Sequence, residues 1–175
     1  VSRPRIIGGL ARGRALEIPK SGTRPSPSRL REALFNIIGF RPKGTFLDLY
    51  SGSGAVGLEA ASRGWQATCV ELSKEAAGVI RKNAHALALD AEVVQGDALA
   101  YAERHPRAFE VVFAAPPYPL DLEAIFGTIL DANVATGLYI FQHPTGLELL
   151  GDRRVYGSNT LTLIEAGPVT SEPEM

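Results

Sequence analysis

At 175 residues the chain suits one domain, long enough to bury a core without staples. Its apolar fraction of 45% and charged fraction of 21% are ordinary for a globular protein, and no apolar run reaches the roughly 18 residues of a membrane span. A single cysteine, Cys69, excludes an internal disulfide framework; lying in an apolar run, it reads as a buried strand thiol rather than a nucleophile.

The formal charge of −1 conceals an asymmetry. Residues 1–43 carry ten Lys/Arg against Glu17 and Glu32, a balance of +8, and the remainder of the chain carries −9. A basic arm on an acidic body points to a polyanion, most economically a nucleic acid; a solvated basic surface is the plain alternative. Residues 3–8 and 14–18 read as two short strands joined by a turn containing Gly9 and Gly13. That ribbon would carry Arg5, Arg12 and Arg14, as phosphate contacts do. Residues 20–27 form a polar linker with prolines, after which Ser26 suits an N-cap and Pro27 the first helical position. Leu30, Leu34, Ile37 and Ile38 then share one helical face, which leaves Arg29 and Arg31 largely outside the buried stripe. Gly39 or the Arg41-Pro42 step ends the helix.

From Thr45 the pattern alternates. Strands are predicted over 45–50, 66–72, 92–95, 110–114 and 138–142, with helices over about 55–63, 74–87, 98–104 and 122–130 between them. Such alternation implies right-handed crossovers and a parallel sheet covered on both faces. Residues 153–156 and 160–165 flank Gly157-Ser158-Asn159 and read as an antiparallel hairpin. The expected organisation is a basic hairpin-and-helix extension over 1–43, an α/β domain over 44–166 and a frayed tail over 167–175. The N-terminus lacks the long apolar segment of a secretory signal, so the expected location is the cytoplasm, without a membrane partner.

In an open α/β sheet, ligands sit outside the carboxyl ends of the strands. After the first strand come Asp48, Tyr50, Ser51, Gly52, Ser53 and Gly54, a glycine turn running into a helix. On its own this G-x-G-x-x-G suits an NAD site, an S-adenosylmethionine site or a tight strand-to-helix connection. Glu71, followed by Leu72, ends the second strand as an acceptor suited to a ribose diol. Gly96, Asp97 and Ala98 follow the third strand, where a carboxylate and an N–H could meet an adenine edge; Asp97 equally suits a helix cap. After the fourth come Ala115, Pro116, Pro117 and Tyr118. At the end of the fifth, His143 reads as structural or catalytic.

Pro116-Pro117-Tyr118 resembles the Asp/Asn-Pro-Pro-Tyr motif of methyltransferases that act on exocyclic or amide nitrogen. The segments Arg5–Gly9, Arg12–Arg14 and Arg24–Asn36, with Tyr156-Gly157 and Leu161-Thr162-Leu163, resemble the bacterial 16S ribosomal RNA guanine-N2 methyltransferases from about residue 3 to 165. The resemblance implies a Rossmann-like class I methyltransferase fold: a seven-stranded, mostly parallel sheet ending in an antiparallel hairpin, plus the N-terminal basic β-hairpin and helix. It implies S-adenosyl-L-methionine as cofactor, no metal, and 16S rRNA or a small-subunit particle as partner of a monomer. Cofactor contacts fall to Asp48, Tyr50, Ser51, Gly52, Ser53, Gly54, Glu71, Leu72, Gly96, Asp97 and Ala98. Catalysis falls to Pro116, Pro117 and Tyr118, with the Pro116 carbonyl accepting from the amine and Tyr118 stacking on the base. Arg5, Arg12, Arg14, Arg24, Arg29 and Arg31 would hold RNA; Thr23, Arg24, Arg29 and Arg31 also suit a lid over the cofactor.

The motif's first residue here is Ala115, which has no side-chain acceptor. Loss of one oriented hydrogen-bonding group costs about 10²–10³ in kcat. Asp121, Gln142 and His143 are candidate substitutes. Two other readings stay open: nitrogen methylation of DNA, another RNA or a protein amide, and a weakly catalytic RNA-binding assembly factor.

Overall fold

Short apolar runs beginning at Thr45 form the five parallel strands that their spacing predicts. They are β1 (Thr45–Leu49), β2 (Gln66–Glu71), β3 (Ala91–Gln95), β4 (Phe109–Ala114) and β5 (Ala135–Pro144). The hairpin of β6 (Asp152–Tyr156) and β7 (Asn159–Glu165) joins them, with β7 antiparallel to β5. The order across the seven-stranded sheet is β3-β2-β1-β4-β5-β7-β6, in a computed structural model that describes residues 3–20, 26–118 and 120–168. Successive connections run outward in opposite directions from β1 and β4, so their carboxyl ends flank the switch-point crevice.

Strand residues alternate between two cores. Phe46, Phe113, Ile140 and Leu161 pack on one face beneath α1 (Ser28–Ile38), α2 (Ala55–Ser62) and α3 (Lys74–Ala86). Leu47, Leu49, Val112 and Phe141 pack on the other beneath α4 (Ala98–Glu103) and α5 (Leu122–Asp131). No helix among the described residues is long and apolar enough to cross a membrane.

Every residue of α2 is buried, because the N-terminal segment covers the side that the sheet leaves open. Leu10 N–H donates to the Ser62 carbonyl at 2.8 Å, and Ala11 N–H to Ser62 Oγ at 2.9 Å. Ile6 and Leu16 insert into the same core as α1 and α2.

This docking corrects the two strands predicted over 3–8 and 14–18. Only Arg5 and Ala15 form a β-bridge there, flanked by bonds from Ile6 N–H to the Arg14 carbonyl and from Gly13 N–H to the Ile6 carbonyl. The N–H groups of Ile7 and Gly8 turn instead to the Glu59 carboxylate, at 2.8 and 3.0 Å, and Glu17 N–H turns to Asn83. A second correction concerns the helix start. Pro27, not Ser26, is the N-cap of α1, and the buried Ser26 Oγ has no hydrogen-bond partner among the described residues.

Candidate functional site

The glycine turn leaves β1 through Tyr50, a non-glycine residue in the left-handed region (φ 62°). Gly52 and Gly54 follow with φ of 58° and 80°. A side chain is strained at such angles, and at Gly54 a Cβ would also meet Ile80 at 2.9 Å. Gly54 N–H closes the turn on the Ser51 carbonyl at 2.8 Å, and Ser53 Oγ accepts from Ala55 N–H. The turn is buried at Gly52, Ser53 and Gly54, with no side chain on its backbone at the two glycines and the N-terminus of α2 behind it.

Asp48 does not face that crevice. It is fully buried on the α2 side of the sheet, where Oδ2 accepts from Gly57 N–H at 2.9 Å. It braces the turn from below, which corrects its reading as a direct cofactor contact. Burial pushes its carboxyl up to about 7, against the opposing effect of the hydrogen bonds from Ser51 and Gly57. Gly57 must stay small for the same packing reason: a Cβ there would collide with Cys69 Sγ and crowd Asp48. Cys69 is buried, and desolvation holds its thiol protonated.

Glu71 ends β2 half-buried, with one oxygen accepting from Gly52 N–H (2.9 Å) and the other from Ser73 N–H (2.7 Å). Each oxygen keeps lone-pair capacity for a further donor. Leu72 beside it is 68% exposed, an apolar surface at the crevice rim. Asp97 caps α4 through Oδ2, accepting from Ala100 N–H at 2.8 Å, and its exposed carboxylate retains room for another donor. A Cβ at Gly96 would meet only open space, and Ala98 is buried. The Tyr50 hydroxyl is raised to about 12 by burial and then by the nearby Asp97 charge.

Across the switch point, β4 runs into Ala115-Pro116-Pro117-Tyr118. Pro116 is buried, Pro117 exposed, and Tyr118 half in solvent with its hydroxyl donating to Asn159 Oδ1 at 3.3 Å. Of the candidate substitutes for a side-chain acceptor at 115, Asp121 caps α5. His143 is wholly buried, with Nε2 on Thr162 Oγ1 (2.7 Å) and Nδ1 on the Pro144 carbonyl (2.8 Å), so its role is structural.

Arg5, Arg12, Arg14 and Arg29 are exposed, while Thr23 and Arg24 lie outside the described residues. Arg31 is the exception and a correction. It is 1% exposed, pairs with Glu59 at 3.2 Å and donates to the Arg5 carbonyl. It cannot reach RNA phosphates from there. Glu59, missed by sequence reasoning, also takes Arg63 at 2.8 Å and the two N–H groups of the N-terminal segment. Its signal was a lone charge inside the apolar run of α2. Asn159 had no such signal, because its partner Tyr118 is distant in sequence.

The chain matches the family described as conserved hypothetical protein 95 over residues 4–163. It is 40% identical over 118 residues to ribosomal RNA small subunit methyltransferase D of Escherichia coli, covering 65% of this chain and 60% of that protein. It is 37% identical over 126 residues to the protein of the same name from Haemophilus influenzae, covering 67% and 65%. The chain thus spans less than two thirds of the length of these curated relatives. A hypothetical protein of Thermus thermophilus, known by structure, superimposes with a TM-score of 0.86 at 48% identity, covering 93% of this chain and 99% of that one.

Proposed function

Because the chain belongs to the conserved hypothetical protein 95 family, we propose that it transfers a methyl group from S-adenosyl-L-methionine to the exocyclic N2 of a guanine in small-subunit (16S) ribosomal RNA. One observation supports the reading: the Gly52–Gly54 turn, the Glu71 carboxylate and Pro116-Pro117-Tyr118 follow the carboxyl ends of the adjacent strands β1, β2 and β4.

The crevice residues fit the cofactor. The turn carries no side chain at Gly52 or Gly54, Glu71 retains acceptor capacity for a ribose diol, and Leu72 with Gly96-Asp97-Ala98 offers an apolar face and a carboxylate suited to an adenine. Tyr50, Ser51 and Ser53 shape the turn, and Asp48 holds it from behind. The cofactor's sulfonium supplies an electrophilic methyl. The chain's own task is alignment: the Pro116 carbonyl accepts from the guanine amine and Tyr118 stacks on the base, so proximity carries much of the rate. Residues 3–43 act as the RNA-binding extension, with Arg5, Arg12, Arg14 and Arg29 toward phosphates. The protein works as a cytoplasmic monomer on rRNA or an assembling particle.

Ala115 favours a second reading, a cofactor- and RNA-binding assembly factor with weak transfer. Incubation with labelled cofactor and either rRNA, undermethylated small-subunit particles or DNA separates the cases. Label in N2-methylguanosine supports the first, background label with retained RNA binding the second, and label in DNA alone contradicts both.

A further inference from the structure

An aromatic exocyclic amine is a weak nucleophile because its lone pair is delocalised into the ring. Acceptors on both of its N–H groups hold the nitrogen pyramidal and aim the pair at an electrophile. With the Pro116 carbonyl as one acceptor, a second is needed nearby. Ala115 has none, Asp121 lies exposed at the N-terminus of α5 with one oxygen on the cap, and both nitrogens of His143 are engaged.

Gln142 differs from all three. Its Oε1 is buried and has no hydrogen-bond partner among the described residues. The hollow around it, lined by Ser26, Leu30, Arg31, Leu34, Val56, Phe113 and Leu161, does not admit a water molecule, and among the described residues the buried Ser26 Oγ and Arg31 Nε of that lining have no partner either. An unmet buried acceptor costs about 1–3 kcal/mol. Its place in the sheet is equally specific. β4 and β5 pair Phe113 with Ile140 and Ala114 with Phe141, so the next residues outward are Ala115 and Gln142. Alternation puts both on the Phe113 face. Parallel neighbours lie about 4.8 Å apart, a gap that a glutamine side chain spans and an alanine does not.

We infer that Gln142 supplies, from the neighbouring strand, the second acceptor for the substrate amine. The inference rests on the proposed nitrogen methylation. A change of side-chain rotamer turns Oε1 from the hollow toward the substrate amine, which gives it the partner it lacks. No bond other than this hydrogen bond is made or broken by the residue.

Gln142→Met keeps the length and removes the acceptor; Gln142→Glu keeps an acceptor. With the purified full chain, Gln142→Met is expected to lower kcat by about 10²–10³. Its cofactor affinity by calorimetry and its melting temperature should not fall, since the atom removed is a buried polar atom without a partner among the described residues. Gln142→Glu should retain most of the rate, and Ala115→Asp should restore at least tenfold in the Gln142→Met background. Wild type should also bind guanine-containing RNA better than the same RNA with inosine, which lacks the amine, and Gln142→Met should lose that preference. Wild-type turnover of guanine by Gln142→Met, or equal losses in the Met and Glu variants, overturns the inference and leaves the proposed function standing. A wild-type chain that methylates no guanine overturns the proposed function, and the inference with it.

Discussion

The Asp48 carboxylate and the Gly57 N–H meet at 2.9 Å beneath the glycine turn, inside the sheet–helix layer rather than in the crevice. One residue lies near the end of β1 and the other in the first turn of α2, so a single hydrogen bond ties together the two elements that the turn connects. The turn's shape is thus set from behind.

That relationship makes stability depend on pH. The carboxyl rises from 3.8 to about 7 on folding, so between those values the folded chain holds the proton that the unfolded chain has released. The group's contribution is fully present below about pH 4, falls as pH rises toward 7, and is level above. The whole change is roughly 4 kcal/mol at most. From pH 4 to 8, wild type should lose melting temperature relative to Asp48→Asn, because the amide has no proton to release. Parallel curves would show that burial does not shift Asp48.

Glu59 gathers Arg31, Arg63 and the N–H groups of Ile7 and Gly8 in a buried site. Glu59→Ala leaves Arg31 buried without its counter-charge, a loss of about 3–5 kcal/mol by the usual cost of breaking such a pair. Arg31→Met should cost less, because Glu59 keeps its other donors. Urea unfolding orders the two. Hydrogen exchange at Ile7 and Gly8 should accelerate only in Glu59→Ala; equal protection in both variants would contradict the docking role.

The helix–strand alternation and the C-terminal hairpin were legible because each strand is a short apolar run bounded by turn residues. Most boundaries moved by a residue, and the largest shift came where tertiary pairing extended an element: β5 begins at Ala135 rather than 138, where a register irregularity opposite Phe109 lets pairing continue. The N-terminal ribbon was less legible, since its N–H groups are claimed by Glu59 and Asn83 from far along the chain. Arg31 failed for the same reason. Helical periodicity marks a position as off the apolar stripe, but not that a buried carboxylate waits there. In the crevice, residue types disclosed Glu71 and the proline loop. They did not disclose that Asp48 faces inward, because a β-strand alternates and only the packed helix decides which side is covered.

The exposed and buried arginines should separate in RNA binding. Removing one arginine from a phosphate reduces the slope of log K against log salt by about 0.7–0.9. Arg12→Ala, Arg14→Ala and Arg29→Ala should each show such a reduction at unchanged melting temperature. Arg31→Met should lower the melting temperature instead. If Arg31→Met flattens the slope in a fully folded protein while the other three do not, the surface has been assigned to the wrong residues.

Tyr118 offers a stacking face and a hydroxyl that reaches Asn159 across to the hairpin. Tyr118→Ala should weaken engagement of the target base by about 1–3 kcal/mol, the usual worth of base–aromatic stacking. Tyr118→Phe should keep most of it, since only a 3.3 Å hydrogen bond at the surface disappears. Steady-state kinetics on the RNA substrate compare the two; equal losses would make the hydroxyl, not the ring, the working part.

The most direct test of the methyl-transfer reading is mass spectrometry of nucleosides from small-subunit rRNA of a strain lacking this gene. The account predicts the loss of one N2-methylguanosine, restored when the purified chain and S-adenosylmethionine are added to the undermethylated RNA or particle. An unchanged complement of methylguanosines in the deletion strain would contradict it.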